Sequence, residues 1–419
     1  MSINFDIREY GAVGDGVTDC TEALQKAIDL CSEAGGGTVV VTSGRYLFYP
    51  VQLKSGVHLE VKAGAVLLAG TDPELYPEVN PNPYWNVGFA LRNNRRYVFY
   101  AEGAEDIGIC GRGKIDFQGM SFIDVDPKIK VGEGRWKRYS DTMVPGRCIL
   151  FVGCRDIRLE DITLVDTPGA WFTWFLDCEH LRIRGVNMRT DLRTPNGDGI
   201  HLGSCRDVII SDCELYTGDD AIVIRSMQEQ FDELKPSENI VVTNCVMHTG
   251  KYSASIRMGY LHDYAIRNCV FSNLVVTGCS EVFSIIAPSL AFSGFKDPPR
   301  YPDTPEVPPI TPLQIENIQI SNINAITTGP LLKIEIDKDA PVDYIRGISI
   351  RGVQVACSEY PFIKVLPQHN VSDIEFCDIT MDLVPDPNVP EWKPASFFDF
   401  HNTENVFFHN FRFKRTRRE

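Results

Sequence analysis

The sequence predicts an all-β chain: a single-stranded right-handed parallel β-helix with a short N-terminal capping helix. Three observations predict it. A short β-rich phrase recurs from about residue 150 onward. Cysteines fall at repeated places within that phrase. One amphipathic helical stretch stands ahead of the repeats, near the N-terminus.

The phrase is a polar pair followed by β-branched and aliphatic residues. Examples are Arg155-Asp156-Ile157-Arg158-Leu159, Arg206-Asp207-Val208-Ile209-Ile210 and Glu238-Asn239-Ile240-Val241-Val242. It returns at Glu316-Asn317-Ile318-Gln319-Ile320 and Val371-Ser372-Asp373-Ile374-Glu375. The interval is too long for one strand and too short for a βαβ unit. It suits one turn of a parallel β-helix holding about three short strands. Each coil of such a body packs only on its neighbours, so all 419 residues can form one domain. Residues 1–70 are then the cap and first coils, and 150–415 the regular coils.

Three insertions break the rhythm, at 72–96, 118–146 and 287–312. The first holds Tyr76, Tyr84 and Trp85, the second Arg135, Trp136, Lys137 and Arg138, and the third is rich in proline. Long insertions in a compact body often carry function, and the first two are expected to wall a binding cleft.

The cysteines read as packing groups. Cys154, Cys178 and Cys205 share one place in successive repeats, and Cys213, Cys245 and Cys269 share another. Ile162 and Val186 fill the Cys213 place in earlier coils. Equivalent positions of stacked coils lie one strand spacing apart, so these thiols form internal ladders of small hydrophobes. Thirteen cysteines in a chain of this length make a disulfide scaffold a poor fit, and no spacing suggests a zinc site. No metal or other cofactor is expected.

The helix is the stretch Ala23-Leu24, Ala27-Ile28, Leu30-Cys31, apolar at helical spacing. Asp19 or Thr18 is placed to cap it, and Gly35-Gly36-Gly37 ends it. Thr38-Val39-Val40-Val41 follows as a strand. A helix here covers the open end of a stack of strands.

The net charge of −15 argues against nucleic acid as the main partner. A polyanionic substrate then requires a locally basic cleft. No apolar run approaches the length of a membrane span, so no membrane partner is expected. Met1-Ser2-Ile3-Asn4-Phe5 leads into a polar segment without a leader pattern, so a cytoplasmic location is expected, or a secreted one if a leader has been removed.

Chemistry concentrates in two stretches, Pro195-Asn196-Gly197-Asp198-Gly199-Ile200 and Tyr216-Thr217-Gly218-Asp219-Asp220-Ala221-Ile222. Asp198 and Asp219 stand 21 positions apart, about one coil, which sets Asp198 one rung below the Asp219-Asp220 pair. Gly197, Gly199 and Gly218 are expected to leave room for a substrate beside the backbone. Clustered carboxylates split into protonated and ionised members, the division glycoside hydrolysis needs. The same residues fit a calcium site or plain turns, and spacing leaves all three readings open.

The segment Trp171 to Met258 resembles the polygalacturonase family, family 28 of the glycoside hydrolases. That family carries Asn-Thr-Asp, then Gly-Asp-Asp a coil later, then Gly-His-Gly, then Arg-Ile-Lys. Asn196-Gly197-Asp198 and Gly218-Asp219-Asp220 match in register. Tyr10-Gly11-Ala12-Val13-Gly14-Asp15-Gly16-Val17-Thr18-Asp19 is similar to the start of bacterial members. So are Leu53-Lys54-Ser55-Gly56-Val57 and Gly64-Ala65-Val66-Leu67-Leu68. The N-terminal motif is shared with pectate-lyase-like and phage tailspike chains. The resemblance implies a pectin-lyase-like β-helix and an inverting hydrolase, with Asp219 as general acid and Asp198 and Asp220 holding and deprotonating the water.

Two departures bear on substrate. Lys251, followed by Tyr252, stands where the resemblance expects histidine, and Glu281-Val282-Phe283-Ser284-Ile285-Ile286 carries no basic pair. In polygalacturonases the missing Arg and Lys bind the galacturonate carboxylate beside the scissile bond. Arg225, Arg257 and Lys251 are candidates to supply such a face by another route, or they are solvated charges on an outer strand. His201 is a candidate replacement for the lost histidine, or a hydrogen-bonded structural one. Trp171 matches a family aromatic and is expected to stack on a sugar; Trp174 reads as either platform or core. The expected function is hydrolysis, from a chain end, of pectin-derived oligosaccharides containing uronic acid. Rhamnogalacturonan- or substituted-galacturonan-derived oligomers fit the missing pair better than bare polygalacturonate. The alternatives are a lyase of the same fold, with calcium and Lys251 or Arg257 as base, and a non-catalytic saccharide-binding or tailspike-like protein.

Overall fold

The three-dimensional structure, a computed structural model, describes residues 4–78, 96–140, 145–227, 233–260, 263–288, 311–357, 363–366, 371–384, 398–400 and 402–415. Its strands form the parallel ladders of a right-handed parallel β-helix. The chain forms two compact units and passes from the first to the second between Gly218 and Asp219.

In the first unit each regular coil has three strands. Tyr97–Glu102, Arg147–Val152, Trp171–Leu176 and Ile200–Gly203 stack in parallel as one ladder. Glu105–Cys110, Arg155–Glu160, Glu179–Arg184 and Arg206–Ser211 form the second. Lys114–Asp116, Thr163–Val165, Asn187–Arg189 and Glu214–Thr217 form the third. In the second unit Ile222–Arg225, Ala254–Met258, Glu281–Ala287 and Leu332–Ile336 form one ladder. Beside it run long bent strands, among them Ala265–Thr277, Leu313–Thr327 and Val342–Cys357.

The polar pair of the repeat lies within a strand. Its second member has left-handed backbone, φ 55° at Asp156, 56° at Asp207, 57° at Asn239 and 57° at Asn317. Asp and Asn tolerate that region best after glycine, which is why they recur there. In the second unit these residues also bond to one another, Asn268 Nδ2 donating to Asn239 Oδ1 at 3.1 Å and Asn317 Nδ2 to Asn268 Oδ1 at 2.8 Å.

The ladder Cys154, Cys178 and Cys205 is present, with Glu179 N donating to Cys154 O and Arg206 N to Cys178 O. Ile162, Val186 and Cys213 stack likewise. Cys269 departs from its expected place. It registers with Ile240 and Ile318, whereas Cys245 lies beside Val246, which registers with Val275. An Asn-Cys pair follows two different turns of the coil, and the two look alike in sequence. Burial pushes the Cys269 thiol up to about 12, so it is an inert hydrophobe at neutral pH.

The N-terminal helix α1 spans Thr21–Glu33 and buries Ala23, Leu24, Ala27, Ile28 and Cys31, with Leu30 half-buried. Its N-cap is Cys20, not Asp19 or Thr18. Thr18 gives its hydroxyl to Asp15 at 2.7 Å, while Asp19 Oδ1, one residue out, accepts from Thr21 N at 2.9 Å. The helix packs on the first strands, with Gln25 exchanging hydrogen bonds with the Gln52 backbone at 2.8 and 3.0 Å. Among the described residues no helix is long and apolar enough to cross a membrane.

Of the insertions, 118–146 is described except at residues 141–144, and its part 118–140 holds a short antiparallel ribbon of Ile123–Asp124 with Lys137–Arg138. Tyr76 is buried, its hydroxyl donating to Gly70 O at 2.6 Å. Tyr84, Trp85 and residues 289–310 lie outside the described residues.

Candidate active site

Asp198 closes the turn that feeds the strand Ile200–Gly203. Phe172 N donates to its carbonyl at 2.9 Å, which fixes it over the previous coil. Ile200 and Leu202 point inward, so the alternation of the strand turns His201 to the other face. There His201 Nε2 lies 2.9 Å from Asp198 Oδ2, with both side chains only about 5% and 6% exposed. The imidazole lies flat on Trp171, ring centres 3.5 Å apart and planes 14° apart. The Arg147 guanidinium carbon lies 3.8 Å from the same ring. Two groups this close to one ring occupy opposite faces, so Trp171 has no open face for a sugar. That corrects the expected stacking role of Trp171. Trp174 is almost wholly buried, its ring edge-on to Trp171 at 79°.

Burial pushes the Arg147 guanidinium down to about 9, while the Asp198 carboxylate pulls the other way. It stays a cation at neutral pH. Asn196, two residues before Asp198, is exposed with φ 48°.

Gly218 N donates to Gly197 O at 3.0 Å. A Cβ at Gly218 would meet Thr194 O at 2.4 Å and Asp191 O at 2.9 Å. The space beside Gly218 is therefore filled by this turn and not left for substrate, which corrects the expectation from the glycines. At Gly197 a Cβ would come 3.1 Å from Thr190 Cγ2, a milder contact.

The 118–140 insertion is tied to this turn. Arg193 grips Asp191 with Nε and Nη2 at 2.8 and 2.7 Å, donates Nη1 to Ile129 O at 3.1 Å, and lies over the Trp136 ring at 4.0 Å. Trp136 N in turn donates to Arg193 O at 2.8 Å. The insertion thus rests on the segment that leads into Asn196 and Asp198.

In the second unit, Asp219 and Asp220 are both buried, and Asp219 Oδ1 accepts from Asp220 N at 3.1 Å. Asp220 Oδ1 accepts from Ala254 N at 2.7 Å and Arg257 Nη2 at 3.1 Å, and Arg257 Nε stands 2.8 Å from Oδ2. Asp220 has a backbone N–H and a guanidinium at close range. Arg257 is thus paired with a candidate catalytic group, not merely solvated.

Arg225 is buried as well, and its Nε donates to Asp263 Oδ2 at 2.6 Å. Asp263 also accepts from the backbone N–H of Ser226 and Tyr260. This is an internal ion pair, so the solvated reading of Arg225 does not hold. Lys251 and Tyr252 are exposed in the turn before Ala254–Met258. Where the resemblance expects a basic pair, Ser284 stands in register with Arg257 on one side and Lys333 on the other. Lys333 Nζ lies 3.4 Å from Glu281 and 2.6 Å from Glu335.

Arg147, Asp263 and Arg193 were not singled out from the sequence. Arg147 left a signal: one charge at the head of the apolar run Cys148-Ile149-Leu150-Phe151-Val152. Asp263 left none, because only the coil geometry brings it to Arg225.

Comparison with known proteins agrees with this architecture. Residues 76–281, which contain Asp198, Asp219 and Asp220, match glycosyl hydrolases family 28. Residues 4–61 match the family described as rhamnogalacturonase A/epimerase, pectate lyase-like. The chain is 27% identical over 263 residues to a probable polygalacturonase of Vitis vinifera, covering 60% of this chain and 50% of that one. It is 29% identical over 227 residues to an exopolygalacturonase of Zea mays, covering 53% and 48%. The matches thus span about half the length of these relatives. Among solved structures, the hyperthermoactive exopolygalacturonase from Thermotoga maritima superposes with a TM-score of 0.72 at 20% identity, covering 98% of this chain and 92% of that one. The family 28 exopolygalacturonase of Yersinia enterocolitica gives 0.67 at 19% identity, covering 97% and 78%. The segment 76–281, about half of the chain, belongs to family 28 of the glycosyl hydrolases.

Proposed function

We propose that this chain hydrolyses glycosidic bonds in pectin-derived oligosaccharides that contain uronic acid, acting from a chain end and with inversion. The observation that carries the proposal is the hydrogen bond from Gly218 N to Gly197 O at 3.0 Å. Each glycine is followed directly by an aspartate, which supports reading Asp198 and Asp219 as residues of successive coils. Asp219 gives its proton to the leaving oxygen. Asp198, beside His201, and Asp220, held by Arg257, act as carboxylates that hold a water and take its proton as it attacks the anomeric carbon. The broken C–O bond leaves with Asp219's proton, and the water oxygen becomes the new anomeric hydroxyl.

Recognition of a uronate carboxylate falls to Arg257 and Lys333, one rung to either side of Ser284, with Lys251 exposed nearby in sequence. Pectic substrates and attack from a chain end are supported by the names of the relatives, among them the exopolygalacturonase of Zea mays. The 118–140 insertion, fastened to the segment before Asp198, forms a wall of the cleft.

Product analysis on defined galacturonan and rhamnogalacturonan oligomers tests this. Release of single sugars with new reducing ends is expected. An unsaturated product absorbing in the near ultraviolet and lost with a chelator would show elimination instead. Binding without any cleavage across the oligomers would make this a saccharide-binding protein.

A further inference from the structure

We propose that Arg147 and Trp171 are positioning residues for Asp198, acting through His201. The inference rests on the reading of Asp198 as part of the hydrolytic centre, and it adds two residues that the aspartate motifs do not contain.

The four side chains come from three successive segments of the first unit. Arg147 heads the strand Arg147–Val152 and registers with Trp171, which heads Trp171–Leu176. The Trp171 indole separates two groups, with the Arg147 guanidinium carbon at 3.8 Å and the His201 ring at 3.5 Å from ring centres. The far edge of His201 reaches Asp198 Oδ2 at 2.9 Å. Trp174, whose ring centre lies 5.1 Å from the Arg147 guanidinium carbon, packs edge-on to Trp171 with ring centres 5.5 Å apart.

Each contact limits a different motion. A flat imidazole on an indole cannot turn about its Cβ–Cγ bond without lifting off the ring. Its Nε2 therefore stays aimed at Asp198. The indole is kept from sliding by the cation on its other face, where it meets the aromatic quadrupole favourably. Arg147 is only 6% exposed, and an arginine so buried costs several kcal/mol unless charge and π faces offset it. Here Trp171, Trp174 and the charge of Asp198 do so. A strand head inside an apolar body has no packing need for a guanidinium; an unbranched apolar side chain fills that length. The cation is placed where its charge supports the ionised form of Asp198 and its plane fixes the ring that orients it. Neither Arg147 nor Trp171 touches substrate in this account.

The test pairs kinetics with a readout that needs no turnover. Arg147→Met keeps an unbranched stem as far as the Nε position and removes the guanidinium with its charge. It is expected to lower kcat on the order of 100-fold with KM unchanged, because a base set slightly out of place loses rate and not binding. Arg147→Lys keeps a cation over the indole and is expected to recover most of that loss. In parallel, ring ¹⁵N–¹H correlations of histidine-labelled protein follow His201, assigned among the eight histidines by the signal lost in His201→Gln. Wild type is expected to show one fixed neutral tautomer protonated at Nε2; Arg147→Met and Trp171→Phe are expected to show averaged ring signals. Unchanged kcat and unchanged His201 signals in Arg147→Met overturn the proposal, as does an effect on KM alone. If Arg147→Met does not fold, Arg147→Lys and Trp171→Phe carry the same test, and unchanged His201 signals in Trp171→Phe overturn it. If wild type cleaves no oligosaccharide, the hydrolase reading fails by itself, while the ring signals still decide whether Arg147 and Trp171 fix His201.

Discussion

Arg257 grips the buried carboxylate of Asp220 from the next strand of its ladder, with Nη2 3.1 Å from Oδ1 and Nε 2.8 Å from Oδ2. The pair gives a carboxylate that is only 5% exposed a cation at close range. Arg257→Met leaves that charge without its cation. The expected loss is about 2 kcal/mol of stability, below the usual cost of breaking a fully buried pair because Arg257 is partly exposed. A fall in kcat is expected with it, measured together with a denaturant melt. Full activity in Arg257→Met would remove Asp220 from the proposed chemistry.

Arg225 makes a contrasting pair. Its partner Asp263 is wholly buried and also gathers the backbone N–H groups of Ser226 and Tyr260. Asp263→Asn is expected to cost about 3 kcal/mol in urea melts, and Arg225→Met a similar amount. KM for the oligosaccharide is expected to stay unchanged in whichever variant folds. A raised KM at native stability would return Arg225 to the substrate-binding face.

The two glycines before the aspartates separate on steric grounds. Gly218→Ala drives a Cβ to 2.4 Å from Thr194 O, a backbone atom that cannot swing aside, whereas Gly197→Ala meets a side-chain methyl at 3.1 Å. Gly218→Ala is expected to cost about 2 kcal/mol and most of the activity, and Gly197→Ala under about 1 kcal/mol. Thermal melts and initial rates on the two variants check this. Equal tolerance at both positions would mean that the turn at Thr194 yields more readily than its contacts imply.

The tie between the 118–140 insertion and the site has a pH signature. Hydrogen bonds from Arg193 hold the Asp191 carboxyl below its ordinary value. A group with a depressed folded-state pKa contributes stability that is complete above its unfolded value, near 3.9 for aspartate, and lost as pH falls through the lowered one. The Arg193–Trp136 contact is therefore expected to hold down to about pH 4 and to loosen below it, read as a change in Trp136 fluorescence. In Asp191→Asn the change is expected to be present already at neutral pH. Identical acid titrations of the two proteins would show that Asp191 does not fasten the insertion.

Much of this was legible in the sequence, and the exceptions share a cause. The coil repeat is visible because left-handed backbone positions select Asp and Asn at a fixed step in each β-run, as at Asp207 and Asn239. The helix was visible through its apolar spacing, and Asp198, Asp219 and Asp220 through their motif and one-coil interval. Contacts made by stacking were not visible. Arg147 meets Trp171 one coil on, but the interval alone does not show which stacked side chains touch, and Arg225 reaches Asp263 across a stretch whose length follows no rule. Cys269 was misplaced because two turns of the same coil use the same Asn-Cys wording. At Trp171 the sequence shows an aromatic without showing that Arg147 and His201 cover it.

The most direct test of the aspartate centre is ¹H NMR of the first products from a defined oligogalacturonide, run on wild type and on Asp219→Asn. The account predicts a new reducing end that first appears with inverted anomeric configuration, no unsaturated sugar, and a rate about 100- to 10,000-fold lower in Asp219→Asn with binding retained. An unsaturated product, or undiminished turnover in Asp219→Asn, would contradict it.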